Sequence, residues 1–206
     1  IDDNAFQVEC ATIVENSFNI HPDGPKLVFR EEENPQAKLM ACARNDKLFA
    51  DGADFAQLAK EIRYVLGGGA EVAKTFRVIA LPKSWQTDPW WKLEASGHPE
   101  QWDDRLPILV LPEEPDNLDL RLGRWLKDHL QKRRNTIRFL LPRPGASNAF
   151  QDRELLILAR ADLKAQEWSS QSPEYRKLAA KYQNDPRAHL KKRFASFAIL
   201  QRWDYA

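Results

Sequence analysis

Residues 108–142, ILVLPEEPDNLDLRLGRWLKDHLQKRRNTIRFLLP, read as strand, helix, strand. Ile108 to Leu111 and Thr136 to Leu141 are short bulky or β-branched runs. Each is closed by a proline, Pro112 or Pro142, which brings no N–H to extend a ladder. Between them Leu118, Leu122, Trp125, Leu126 and His129 or Leu130 recur at helical spacing, and Lys132-Arg133-Arg134 place cations where helix carbonyls point. A strand, a crossover helix and a second strand imply a parallel pair with a right-handed connection. Phe76 to Leu81, closed by Pro82, repeats the strand pattern upstream. The predicted class is α/β: a small, mostly parallel sheet, buried on both faces, with flanking helices and a helical N-terminal part.

Further out, Asp54 to Gly67 predicts a helix with Phe55, Leu58, Ala59, Ile62, Val65 and Leu66 as its buried stripe. Asp54 is its expected cap, Gln57 the reciprocal partner and Gly67 the left-handed terminus. Phe6, Cys10, Ile13, Val14 and Phe18 share one face of a helix from about Asp3 to Ser17, stopped by His21-Pro22-Asp23-Gly24-Pro25. Lys26 to Phe29 reads as a short strand. Asn34-Pro35 opens a helix to about Ala43, asparagine capping and proline filling the first turn. Arg153 to about Trp168 predicts a helix, and Pro173 to Trp203 two helices parted at Asp185-Pro186. The expected organisation is a helical part, 1–67, and an α/β part with C-terminal helices, 76–206, separated by Gly67-Gly68-Gly69 or fused into one continuous domain.

With 43% hydrophobic and 30% charged residues among 206, the chain can bury a core. No apolar run reaches the roughly 18 residues of a bilayer span. Cys10 and Cys42 are the only cysteines, too few for a disulfide framework or a four-cysteine zinc site and consistent with a reducing cytoplasm. The chain starts at Ile1 and Met40 is its only methionine, which reads as a piece of a longer protein. Its net charge of +1 hides a polarity: residues 1–120 hold 12 Lys and Arg against 22 Asp and Glu, and residues 121–206 hold 19 against 8. Either the basic part faces an anionic partner or the two parts neutralise each other in the fold.

The basic face Lys132, Arg133, Arg134, Arg138 and Arg143, with Arg187, Lys191, Lys192 and Arg193, is the leading binding candidate. Trp85, Trp90, Trp91 and Trp102, interleaved with Lys83, Lys92 and Arg105, have three readings: wedges that hold a long loop on the core, anchors at a protein interface, or a stacking platform for nucleic acid.

Catalytic signals fail their context. Gly68-Gly69-Ala70-Glu71-Val72-Ala73-Lys74-Thr75 approaches a phosphate loop, but Ala73 replaces its second glycine, and a helix precedes and a strand follows where the loop needs the reverse. Glu113, Glu114, Asp116 and Asp119 follow a strand and suit either magnesium or a solvated helix start. His21, His98, His129 and His189 are scattered, and no GxSxG elbow occurs. Arg124 and His129, with four residues between them, resemble the signature of helical HEPN ribonucleases. On a crossover helix of an α/β unit a structural role is the expected one, and a nuclease is the second alternative.

Three stretches resemble the downstream region of large bacterial ATPases of the AAA+ class, proteins mostly of unknown function and often linked to phage defence. These are Asn34-Pro35 with Ala43 to Gly52 and the next helix, Arg134 to Leu141, and Leu156 to Trp168. The resemblance spans most of residues 26–200. It implies a non-catalytic accessory domain whose partners are the rest of the parent ATPase and a protein or DNA. It implies no catalytic, cofactor or metal residue here, with ATP and magnesium bound elsewhere in the parent chain. A cytoplasmic location with no membrane contact is expected, and the first alternative function is a nucleic-acid-binding module.

Overall fold

The computed structural model describes residues 3–87, 97–130 and 136–194. Helix α1 (Asp3–Asn16) leads through a hairpin, β1 (Ile20–Asp23) and β2 (Lys26–Phe29), into α2 (Pro35–Ala43), and a short 3-10 turn, Asp46–Phe49, leads on to α3 (Ala53–Gly67). The short helix α4 (Ala70–Thr75) runs directly into β3 (Phe76–Ala80). Then follow β4 (Leu106–Val110), α5 (Leu118–His129), β5 (Arg138–Leu140), α6 (Arg153–Trp168) and α7 (Pro173–Arg193). The fold is mixed α/β with a helical N-terminal part. Two compact units interleave along the chain: Ile1–Asp54 with Ile157–Asp185, and Phe55–Leu156 with Pro186–Ala206.

In the first unit Asn34 is a joint. Its side-chain oxygen accepts from the Gln36 N–H (2.9 Å), the cap expected at α2. Its amide nitrogen donates to Val14 O (2.8 Å) and Ile20 O (2.6 Å), so one buried residue ties the end of α1 and the start of β1 to α2. Gly24 at φ 59° opens the two-residue hairpin turn with Pro25 second. Proline cannot take positive φ, so glycine comes first, as in a type II′ turn. The core packs Leu39, Met40 and Ala43 against Ala161, Ala165 and Tyr182. On α1 only Val14 of the predicted face is buried; Phe6 and Ile13 remain exposed, as does Phe18 just beyond the helix.

The second unit is built on a parallel sheet of order β3-β4-β5, with Phe76 level with Leu106 and Ile108 with Arg138. Each ladder runs one bond past its strand, Leu81 N–H to Val110 O and Leu111 N–H to Leu140 O, both 2.9 Å. Pro82, Pro112 and Pro142 follow immediately and stop it. Burial deepens toward these carboxyl ends, where Leu81, Leu109, Leu111, Phe139 and Leu141 meet Leu122, Trp125 and Leu126 of α5. Trp85 and Trp102 join the same core. Trp125 Nε1 donates to Trp85 O at 2.8 Å, and the two rings are 6.3 Å apart.

Three local expectations are corrected. Asp54 is not the cap of α3: the helix starts one residue earlier, Asp51 Oδ1 accepts from the Ala53 N–H (3.1 Å), and Asp54 is buried as an ion-pair partner of Arg160. Gln57 Nε2 donates to Glu61 Oε1 (3.4 Å). Gly67 is not left-handed, since positive φ among the described glycines belongs to Gly24, Gly52 and Gly145. Its value is closeness: a Cβ there would lie 2.7 Å from Val78 Cγ2 on β3. Gly67→Ala is therefore expected to cost about 1–3 kcal/mol by overpacking. Most of that returns in the Gly67→Ala/Val78→Ala double variant, read from urea midpoints. Finally, Pro186 lies inside α7, which is one helix. The lost backbone bond costs about 3 kcal/mol, and the next residue, Arg187, is held by the fully buried Glu61, fixing the turn that proline would otherwise end.

Candidate nucleic-acid interface

After β5 the chain turns through Arg143-Pro144-Gly145, with Gly145 at φ 75° and the Ala146 N–H donating to Arg143 O (3.1 Å). Within this turn the Arg143 N–H donates to Arg193 O at 3.0 Å. That bond brings the loop beyond the sheet onto the last turn of α7, which carries Lys191, Lys192 and Arg193. Leu190 and Phe194 anchor the turn in the interior. Cations belong here for a local reason, since the unpaired carbonyls of a helix end carry partial negative charge. The site thus lies beside the carboxyl end of a parallel sheet, where ligands of such sheets bind.

Arg193 differs from its neighbours. It is 6% exposed, and its Nη1 donates to Asp152 Oδ2 at 3.2 Å. Its Nε and Nη2 are buried without a hydrogen-bond partner. Burial pushes the guanidinium below its ordinary value; Asp152 opposes the shift and Arg143 adds to it. Asp152 also caps α6, accepting from the Leu155 N–H (3.2 Å), and lies 3.9 Å from His189 Nε2. Arg143, Lys191 and Lys192 are exposed and make no ion pair among the described residues. With one carboxylate holding Arg193, the surface keeps a cluster of three cations not neutralised among the described residues.

The rest of the predicted face is dispersed. Arg138 opens β5, at the opposite end of the strand from Arg143, and its Nη1 donates to Ile137 O (2.9 Å). Arg187 is an internal partner: it pairs with Glu61 and lies over the Tyr64 ring at 3.6 Å. Lys132, Arg133, Arg134, Trp90 and Trp91 lie outside the described residues. Trp85 is fully buried, so it offers no face for stacking and is corrected to a core residue, the first of its three readings. Arg124 is exposed on α5, and His129 is the last residue of that helix. Lys74 pairs with Glu71 at the surface (2.8 Å). Asp116 and Asp119 are exposed around the start of α5, and no group of three potential metal ligands forms among the described residues.

The two electrostatic readings of the charge polarity divide by residue. Arg160 with Asp54 and Asp46, Arg187 with Glu61, and Lys181 with Glu15 (3.8 Å) neutralise acidic-part carboxylates with basic-part cations. Arg143, Lys191 and Lys192 stay outside that exchange. Sequence reasoning missed Asp152 and His189 as neighbours of the cluster. The signal was the four-residue spacing of His189 and Arg193 on α7, which points both at one partner.

No described helix is long and apolar enough to cross a membrane. Comparison with protein-family models, curated proteins and solved structures gives no match.

Proposed function

We propose that this chain is a non-catalytic binding domain that grips the phosphate backbone of nucleic acid through Arg143, Lys191 and Lys192. It would serve as an accessory domain of a multidomain bacterial ATPase acting in phage defence. One observation carries the reading of the surface: the hydrogen bond from Arg143 N–H to Arg193 O, which collects three exposed cations that make no ion pair among the described residues. Such a cluster contacts phosphates without reading bases, so binding is expected to be strong at low salt and indifferent to sequence. The place within an ATPase rests on the resemblance of the three stretches and on the degenerate phosphate loop at Lys74.

Titration of labelled duplex DNA across a salt series tests this. The logarithm of the affinity falls with the logarithm of salt by about 0.9 for each phosphate neutralised. The Arg143→Gln/Lys191→Gln/Lys192→Gln variant is therefore expected to flatten the slope by about 2–3, with the circular-dichroism spectrum unchanged. A parent protein that does not bind at low salt, or a slope that the triple variant leaves alone, overturns the reading. Magnesium-dependent ATP hydrolysis by the chain, abolished by Lys74→Ala, overturns the non-catalytic part.

A further inference from the structure

The three strands of the parallel sheet end alike, in Leu81-Pro82-Lys83, Leu111-Pro112-Glu113 and Leu141-Pro142-Arg143. Their order β3-β4-β5 and the bonds from Leu81 N–H to Val110 O and from Leu111 N–H to Leu140 O keep these ends in register. Lys83, Glu113 and Arg143 therefore follow one another along the carboxyl edge of the sheet as cation, carboxylate and cation. One side chain gathers the three loops. Asn148, 4% exposed, donates from Nδ2 to Lys83 O (3.3 Å), and its oxygen accepts from the Phe150 N–H (3.0 Å). The next residue's N–H, that of Ala149, donates to Pro112 O at 2.9 Å. The loop that leaves β5 at Arg143 thus returns to the ends of β4 and β3. Lys83 and Glu114 are exposed and Glu113 is half-buried, and none of the three makes an ion pair among the described residues.

The alternation bears on which form of nucleic acid the interface takes, and so rests on the phosphate-gripping reading of that interface. Neighbouring strands lie about 4.8 Å apart, so the chain at Lys83 and at Arg143 is separated by two such spacings, about 10 Å. A single phosphate row laid along the edge, as in a single strand, has to pass the end of β4, where Glu113 and Glu114 repel it. A duplex carries two rows with a groove of roughly 6–12 Å between them. It can set one row on each cation and leave the groove over the carboxylates. Lys191 and Lys192 stand on the Arg143 side, brought there by the bond to Arg193 O. We propose that the interface takes duplex nucleic acid laid across the carboxyl edge of the sheet, with Lys83 on the second phosphate row and Glu113 and Glu114 disfavouring a single strand.

Salt titrations of the whole chain with a labelled DNA duplex, and with one of its strands alone, test it. Lys83→Gln is expected to lower the duplex salt slope by about 0.9, the share of one phosphate contact, and to leave the single-strand slope unchanged. Lys74→Gln, on α4 at the other end of β3, is expected to change neither. Glu113→Gln/Glu114→Gln is expected to raise single-strand affinity roughly two- to fivefold, the scale of an exposed charge contact, and duplex affinity by less. Glu114→Gln alone serves if the double variant does not fold, with the melting temperature checking each. A parent protein that binds neither probe at low salt overturns the interface itself. A duplex slope flattened by Arg143→Gln/Lys191→Gln/Lys192→Gln but not by Lys83→Gln overturns the duplex assignment alone. A parent that binds the single strand as tightly as the duplex, or a preference that neutral glutamines leave as it was, overturns that assignment too.

Discussion

Arg160→Met is expected to lower the unfolding free energy by about 3–5 kcal/mol. Arg160 Nε donates to Asp54 Oδ2 at 2.8 Å, and the Asp54 side chain is 2% exposed. Removing the cation leaves a buried carboxylate without its guanidinium partner, so part of its desolvation penalty is no longer offset. The guanidinium also donates to Ala43 O (3.4 Å) and lies 5.1 Å from the centre of the Phe49 ring, contacts that methionine replaces only in part. Arg160 also pairs with Asp46, but Asp46 is 84% exposed. Asp46→Asn should therefore move stability by less than about 1 kcal/mol. The double variant Asp54→Leu/Arg160→Met should recover most of the loss, since an ion pair replaced by apolar groups of similar volume is often neutral. Urea unfolding of the parent, Asp54→Leu, Arg160→Met and their double variant, read as a double-mutant cycle, with Asp46→Asn measured beside them, checks this. Equal losses for Asp46→Asn and Arg160→Met would show that the buried partner does not dominate.

Trp85→Ala is the second large effect, expected at about 3–5 kcal/mol. The ring is fully buried among residues of the strands' carboxyl ends and of α5, 6.3 Å from Trp125, which itself lies 5.8 Å from Phe139 in an edge-on contact. Truncation removes a large transfer term and leaves a cavity that a sheet and a helix cannot close. Trp85→Phe retains most of the apolar volume and should cost less than half as much. Neither change should alter the salt slope of DNA binding in protein that is still folded. A Trp85→Phe variant of full stability and reduced DNA affinity would restore the stacking reading.

The sheet was legible because its signals are local. Three apolar runs each end in a proline, and the stripe Leu122, Trp125 and Leu126 has one helical period, so strand, helix and strand follow from spacing alone. The same holds for Asn34-Pro35, where cap and first-turn proline act within three residues. What escaped was set by partners distant in sequence. Asp54 looked like a cap because nothing nearby announces Arg160 more than a hundred residues on. Pro186 looked like a break because the side chain that holds Arg187, Glu61, lies far upstream. Of the site, the cations themselves were visible as composition. Which of them are spent internally, as Arg187 is, and which are gathered at the surface, as Arg143, Lys191 and Lys192 are, depends on one backbone bond between two segments fifty residues apart.

The joint at Asn34 also bears on how the molecule ages. Asparagine deamidates when the nitrogen of the following peptide attacks its side-chain carbonyl and closes a five-membered imide. Here that nitrogen belongs to Pro35, which has no hydrogen to give up, so the cyclisation is blocked. Conversion to aspartate would delete the donors now given to Val14 and Ile20 and bury a charge between three elements. The proline that starts α2 thereby gives the side chain that ties three elements of the first unit a chemical lifetime suited to its place.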